Sequence, residues 1–215
     1  ISIPTGVDLD IFNPEISTED VRAEFGLVPG QRVITMVAVL RSWKRHEVFL
    51  EAAAYLTATR PDIRFFIVGE GPRRPDIEAA IAALNLNSRV IMTGHRSDVA
   101  KILAVSDVCV LTSESSEGVP QAVLQYQAMA RPVVATNVGG VPEVIEHERT
   151  GLICPINDHL AVAEAVARIL DDPGLAERLG REARRYVEEK HSLQAMAGTT
   201  LELYERIYRG KLKRP

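Results

Sequence analysis

Six short apolar runs divide the chain, and each is closed by a polar or glycine-bearing loop. The first, residues 32–40 (Arg-Val-Ile-Thr-Met-Val-Ala-Val-Leu), is almost continuously apolar, as a strand buried on both faces must be. The others cover residues 62–68, 89–93, 108–111, 132–136 and 151–154. Between them the period changes to that of helices. A short helix is predicted over residues 18–25, with Ser17 or Thr18 as its cap. The next runs to about residue 60 with Val48, Phe49, Ala52, Ala53 and Leu56 inward. An alanine- and isoleucine-rich helix reaches residue 84, and Ser97 caps another to residue 105. A central helix runs from Val119 or Pro120 to residue 130, and Gly139-Gly140-Val141-Pro142-Glu143 opens a short turn of helix. Helices over residues 158–170, 174–190 and 193–208 complete the pattern.

Strands alternating with helices at this spacing predict an α/β fold: a Rossmann-like parallel sheet with helices on both faces and right-handed crossovers. Ligands of such sheets bind beyond the carboxyl ends of the strands. Arg41, Lys44, Gly69, His95, Glu117 and Gly139 all fall there.

Composition narrows this only a little. With 215 residues the chain makes one domain or two small ones, and 46% apolar with 25% charged is the balance of an ordinary globular protein. A net charge of −4 argues against nucleic acid as a partner. Cys109 and Cys154 sit in apolar runs and read as buried free thiols, and no histidine or cysteine spacing suits a metal. No apolar run is long enough to cross a bilayer and no signal peptide is visible, which leads to the expectation of a reducing, cytoplasmic location. Residues 1–17, broken by Pro4 and Gly6, read as a connector into the domain. Asp8-Leu9-Asp10 has a metal–diphosphate spacing but follows no strand, so it reads as a turn. Residues 191–215 read as a last helix with a basic tail of Arg209, Lys211, Lys213 and Arg214, a solvated end or a contact for anionic lipid.

The stretch that organises the rest is Ser113-Glu114-Ser115-Ser116-Glu117-Gly118-Val119-Pro120-Gln121-Ala122-Val123-Leu124-Gln125. A strand runs into a polar loop, and a glycine and a proline open a helix. Proline suits a first helical turn, glycine admits close approach, and the free N–H groups there favour an anion such as phosphate. Glu117 beside a phosphate site is out of place as a phosphate ligand and reads as an acceptor for sugar hydroxyls; Gln125, two turns into the helix, faces the same crevice.

Other loops add candidates. Arg41 and Lys44 oppose the dipole of the helix they precede, which an anionic diphosphate would explain. Arg45 and His46 read as a solvated face, and Trp43 either shelters the site or packs on the helix. Gly69-Glu70-Gly71 lacks the third glycine of a dinucleotide fingerprint, Arg74 standing in its place, so a tight turn lining a crevice is the reading. His95, after Gly94, is a turn residue or borders a nucleotide base.

The run 117–125, followed by Ala128, Met129, Pro132-Val133-Val134-Ala135-Thr136 and Gly139-Gly140-Val141-Pro142-Glu143-Val144-Ile145, resembles the retaining glycosyltransferases of family four. So do Ile3-Pro4-Thr5-Gly6-Val7-Asp8, Lys44, Val68-Gly69-Glu70-Gly71-Pro72, Gly151-Leu152-Ile153 and Leu203-Tyr204, in order along nearly the whole chain. The resemblance implies one half of a GT-B fold, the carboxyl-terminal donor-binding half. Residues 1–17 would be the interdomain connector, 18–190 the nucleotide-sugar-binding domain and 191–215 the return helix and tail. It implies Arg41, Lys44 and Glu117 as catalytic, with Gly69, Gly94, His95, Gly118, Val119, Pro120 and Gln125 at the donor. It also implies metal-independent hexose transfer with no cofactor, an acceptor-binding amino-terminal half as partner, and a place in bacterial surface-glycan or lipopolysaccharide synthesis. The sequence departs from the family at Gln125, where a second glutamate is usual; at Val39, where an arginine is usual; and at Arg45, where glycine commonly follows the lysine. A sugar-nucleotide epimerase or phosphorylase of the same architecture, or a non-catalytic binding module, are the alternatives.

Overall fold

The computed structural model describes residues 5–210; the first four connector residues, including Ile3 and Pro4, and the tail residues Lys211, Lys213 and Arg214 lie outside them. Six parallel strands form one sheet in the order β3-β2-β1-β4-β5-β6. They are β1 (Arg32–Val37), β2 (Ile63–Val68), β3 (Val90–Gly94), β4 (Val108–Leu111), β5 (Val133–Thr136) and β6 (Leu152–Cys154). The helices are α1 (Glu19–Glu24), α2 (His46–Thr57), α3 (Arg74–Ala83), α4 (Val99–Ala104), α5 (Gln121–Ala128), α6 (Val141–Val144), α7 (His159–Asp171), α8 (Pro173–Lys190) and α9 (Leu193–Tyr208).

Apolar clusters lie on both faces of the sheet. On one, Met36, Phe65 and Val110 pack against Phe49 and Ala53 of α2 and Val162 and Val166 of α7. On the other, Cys109, Leu111 and Ala135 meet Val123 and Tyr126 of α5 and Val187 of α8. Both cysteines are free and buried. Burial pushes the Cys109 thiol up to about 12 and the Cys154 thiol up to about 11.

Element boundaries differ in detail from those expected, for local reasons. β1 stops at Val37 rather than residue 40; beyond it the Ala38 amide donates to Val68 O at the end of β2 and the Leu40 amide to Glu70 O in the loop that follows. Asp98, not Ser97, precedes α4, and its carboxylate is taken by Arg96 at 2.8 and 2.9 Å, so it caps nothing. Thr18 precedes α1 without a side-chain cap bond. Asp158, Asp172 and Ser192 do cap α7, α8 and α9, each accepting from an amide three residues on. Asp8 Oδ1 accepts from the amides of Asp10 and Ile11, so Asp8-Leu9-Asp10 is a turn. Val7 lies against the start of α9, its amide donating to His191 O and its carbonyl accepting from Leu193 N.

The strand order reverses between β1 and β4, the switch point where ligands of such sheets bind. β1 pairs with β2 over six positions but with β4 over two, Ile34 with Val108 and Thr35 with Cys109. Past that point the fully buried Tyr126 of α5 fills the gap. The Val37 amide donates to its hydroxyl at 2.7 Å, and that hydroxyl faces the Val37 and Val110 carbonyls at 3.4 and 3.5 Å. Burial raises its pKa well above the ordinary phenol value, so it stays protonated. Tyr126→Phe removes the acceptor of the Val37 amide. We expect it to lower stability by about 1–3 kcal/mol, read as a shifted urea midpoint at unchanged slope.

Candidate functional site

Two pairs of loops meet at the carboxyl edge with almost no space between their backbones. A Cβ on Gly69 would stand 2.0 Å from the Ala38 carbonyl oxygen, and one on Gly139 would stand 1.9 Å from that of Glu117. Both glycines also have positive φ, 145° and 51°, so these positions exclude side chains for two reasons. The Gly140 amide donates to Glu117 O at 3.1 Å and ties the loop after β5 to the loop after β4. Further bonds run the other way. Thr112 Oγ1 donates to the Lys44 and Arg45 carbonyls at 2.9 Å, and the Glu114 amide donates to Trp43 O at 2.9 Å.

Glu117 stands at the centre of this junction with its side chain only 6% exposed. Lys44 Nζ and Ser113 Oγ both donate to its Oε1. Ser113 is fully buried, and its carbonyl accepts from Thr136 Oγ1. One carboxylate oxygen is thereby fixed by two donors, while Oε2 carries no protein hydrogen bond among the described residues. Beside it, Pro120 precedes α5 and the first amide of that turn with a backbone partner is Val123. Among the described residues the amides of Gly118, Val119, Gln121 and Ala122 have no backbone partner. The space over Gly118 is open: a Cβ there would meet nothing within 4 Å.

The other candidates fall into separate places. Gly69, His95 and Gln125 share a hollow of 350 Å³ with Val37, Val39, Glu70, Arg96 and Val99. Gly94 stands just behind it, 3.0 Å (for a Cβ) from a Glu70 carboxylate held by Arg74. Val119 borders a different and larger hollow of 570 Å³, with Thr5, Glu143, His191 and Thr199. Neither hollow is lined by Lys44 or Glu117. Pro120 is buried. Arg41 is exposed, its guanidinium 5.6 Å from the centre of the Trp43 ring, and it makes no ion pair among the described residues. No cluster of three metal-ligating side chains occurs among the described residues.

Two neighbours of Lys44 differ from the solvated face expected of them. Arg45 is partly buried and bonds Asn157 and Glu114. His46 is 1% exposed, with no hydrogen-bond partner for Nε2. A histidine that follows a run of cations does not read as buried; the inward face of α2 begins two residues before Val48, the first inward position expected. Ser113 and Tyr126 are not singled out by the sequence reading.

These observations define a protein class: a doubly covered parallel sheet with a turn of unpartnered amides and a fixed carboxylate at its switch point. The profile of the group 1 glycosyl transferases matches residues 17–186, and the chain belongs to that family. It is 35% identical over 196 residues to the alpha-D-kanosaminyltransferase of Streptomyces kanamyceticus, covering 90% of this chain and 50% of that protein. It is 36% identical over 174 residues to an Escherichia coli UDP-Gal:alpha-D-GlcNAc-diphosphoundecaprenol alpha-1,3-galactosyltransferase, covering 79% and 45%. The chain thus spans about half the length of the curated relatives it matches. Among solved structures, a glycosyltransferase from Rickettsia africae superposes with a TM-score of 0.90 at 28% identity, over 97% of this chain and 57% of the other. The Anabaena protein Alr3699/HepE, solved with UDP and glucose, has the same fold at a TM-score of 0.86 and 20% identity, over 93% and 55%.

His46 gives the site a measurable pH signature. Burial, with Arg73 and Lys44 adding to it and Glu47 opposing, lowers its pKa from 6.5 to about 4. The unfolded chain therefore binds this proton between pH 6.5 and 4 while the folded chain does not, so stability falls as pH drops through that window. The shift corresponds to something on the order of 3 kcal/mol. Denaturation midpoints of wild type and His46→Leu across pH 4–7 should diverge accordingly, the wild type losing more.

Proposed function

We propose that this chain is the donor-binding, carboxyl-terminal half of a retaining, metal-independent glycosyltransferase that moves a hexose from a nucleoside-diphosphate sugar to an acceptor. The observation that carries the reading is Glu117: one oxygen held by Lys44 and Ser113, the other free, beside unpartnered amides at the start of α5. A carboxylate so fixed presents an acceptor to sugar hydroxyls without rearranging.

In this reading the diphosphate meets the amides of Gly118 and Val119 and the turn behind Pro120. Its charge draws Lys44 from Glu117, and Glu117 turns its full accepting capacity to the hexose. Arg41, now on Trp43, supplies a second cation by swinging off the ring. The nucleoside occupies the hollow of Gly69, His95 and Gln125, with the Gln125 amide bonding a ribose hydroxyl where Glu would have bonded as a charge. Gly94 shapes that hollow's rim. Departure of the nucleoside diphosphate leaves negative charge, and Lys44, Arg41 and the α5 turn stabilise it, which is the main electrostatic task.

The relatives support transfer chemistry over epimerisation or phosphorolysis, since both curated proteins named above are transferases. The galactosyltransferase's name pairs a UDP-Gal donor with an alpha-1,3 linkage. An α-linked product from an α-linked donor is retention, and an undecaprenol-linked acceptor fits surface-glycan synthesis on the inner face of the membrane. We assign the acceptor side to the other half of the relatives' length and the protein to the cytoplasm, in peripheral contact with that membrane. Among the described residues no helix is long and apolar enough to cross it.

Calorimetric titration of the chain with UDP, GDP, ADP and their hexose conjugates tests this directly. One nucleotide series should bind, and Glu117→Ala should weaken the hexose conjugate by about tenfold while the bare diphosphate changes much less. Absence of binding by every member would overturn the reading.

A further inference from the structure

Arg45 adopts a backbone conformation that disfavours any residue with an ordinary side chain. Its φ of 50° and ψ of 51° lie in the left-handed region. The chain requires this: a 3-10 turn, Ser42–Lys44, ends at Arg45, and α2 begins at the next residue. Glycine would satisfy the turn without steric cost. Strain retained beside a functional loop raises the question of what the side chain contributes.

The side chain reaches two other loops. Arg45 Nε donates to Asn157 Oδ1 at 2.9 Å and lies 3.4 Å from Glu114 Oε2. Asn157 Nδ2 donates to the same Glu114 oxygen at 3.2 Å. Asn157, itself left-handed with φ 59°, follows β6, and Glu114 follows β4. The three residues thus close a polar ring between the loops after β1, β4 and β6. Arg45 and Glu114 are about one-third exposed, so water screens the ring only in part. Glu114 stands three residues before Glu117 in the same loop, and Ser116 between them is also left-handed, with φ 57°. That loop has few apolar anchors of its own. Its shape is set at one end by Ser113 and by Glu114, through the Trp43 carbonyl and the polar ring, and at the other by Gly140.

We propose that Arg45 is a positioning residue for the donor: through Glu114 and Asn157 it holds residues 113–118 in the form that presents Glu117 and the Gly118 amide. Its ligand arm rests on the donor-site reading above; its loop-holding arm does not.

Arg45→Gly removes the strain and the ring together, so melting reads the relief of strain and local exchange reads the loss of the ring. Thermal melting, amide hydrogen exchange and nucleotide titration are measured on wild type, Arg45→Gly, Arg45→Lys, Glu114→Gln and the Arg45→Gly/Glu114→Gln double variant. The glycine variant should melt at or above wild type, while exchange in residues 113–118 rises by about fivefold or more and elsewhere stays level. Among UDP-glucose, GDP-mannose and ADP-glucose, the conjugate that wild type binds should bind about three- to tenfold more weakly, and its bare diphosphate should stay within about twofold. Lysine, which keeps charge and strain but cannot bridge both partners, should give an intermediate loss. The double variant should be no worse than the glycine variant, as expected for two members of one link. Unchanged exchange in residues 113–118 overturns the proposal. So does a glycine variant that melts lower and exchanges faster throughout, since that marks a general structural role. If wild type binds none of the nucleotides, the donor reading falls, and the exchange measurement alone decides the role of Arg45.

Discussion

Two parallel strands that part within a sheet expose backbone groups that must be satisfied, and here one phenol does it. β1 and β4 separate after two rungs, and Tyr126 stands in the opening with its hydroxyl taking the Val37 amide. Without that wedge the strands would either continue to pair and shut the crevice or leave a polar group stranded. The wedge sits on α5, whose first turn presents the free amides beside Glu117 and whose next turn carries Gln125. A single helix therefore fills the opening between the strands, begins beside Glu117 and lines the hollow of Gly69 and His95.

The rim of the crevice is stiff for a different reason. Gly69 and Gly139 bring neighbouring loops into backbone contact, and Thr112, Glu114 and Gly140 cross-bond them. Little apolar burial is available at such an edge, so hydrogen bonds and excluded volume hold the shape. Glu117 profits from this most directly. Its carboxylate would be free to rotate in an ordinary loop, but Ser113 and Lys44 hold one oxygen in place.

The architecture was legible because both period and punctuation were strong. Strands such as Val108–Leu111 are apolar throughout, and the helices between them carry clear inward faces. The glycine, proline and glutamate around residue 117 also announced a strand-to-helix turn with unusual chemistry. What the sequence concealed were contacts between residues far apart in the chain. Nothing local tells that Ser113 turns inward, that His46 is buried among charged neighbours, or that Tyr126 differs from any other core aromatic. Arg45 is a special case. It stands where glycine commonly follows the lysine in the resembling enzymes, and it reads as a solvated cation. The structure gives it a left-handed backbone and finds partners for the guanidinium.

The two thiols acquire a use from their depth. Cys109 lies on the central strand beside the switch point and is fully buried; Cys154 lies on the outermost strand and is shielded less completely. Burial raises the pKa of both and shields both from solvent, so each reacts slowly with an alkylating reagent while the sheet is intact. Modification at the outer sulfur would clock fraying of the sheet's margin, and modification at the inner one would clock rupture of the whole domain. The molecule thus carries a pair of native chemical timers, one for each scale of breathing, without any label being introduced.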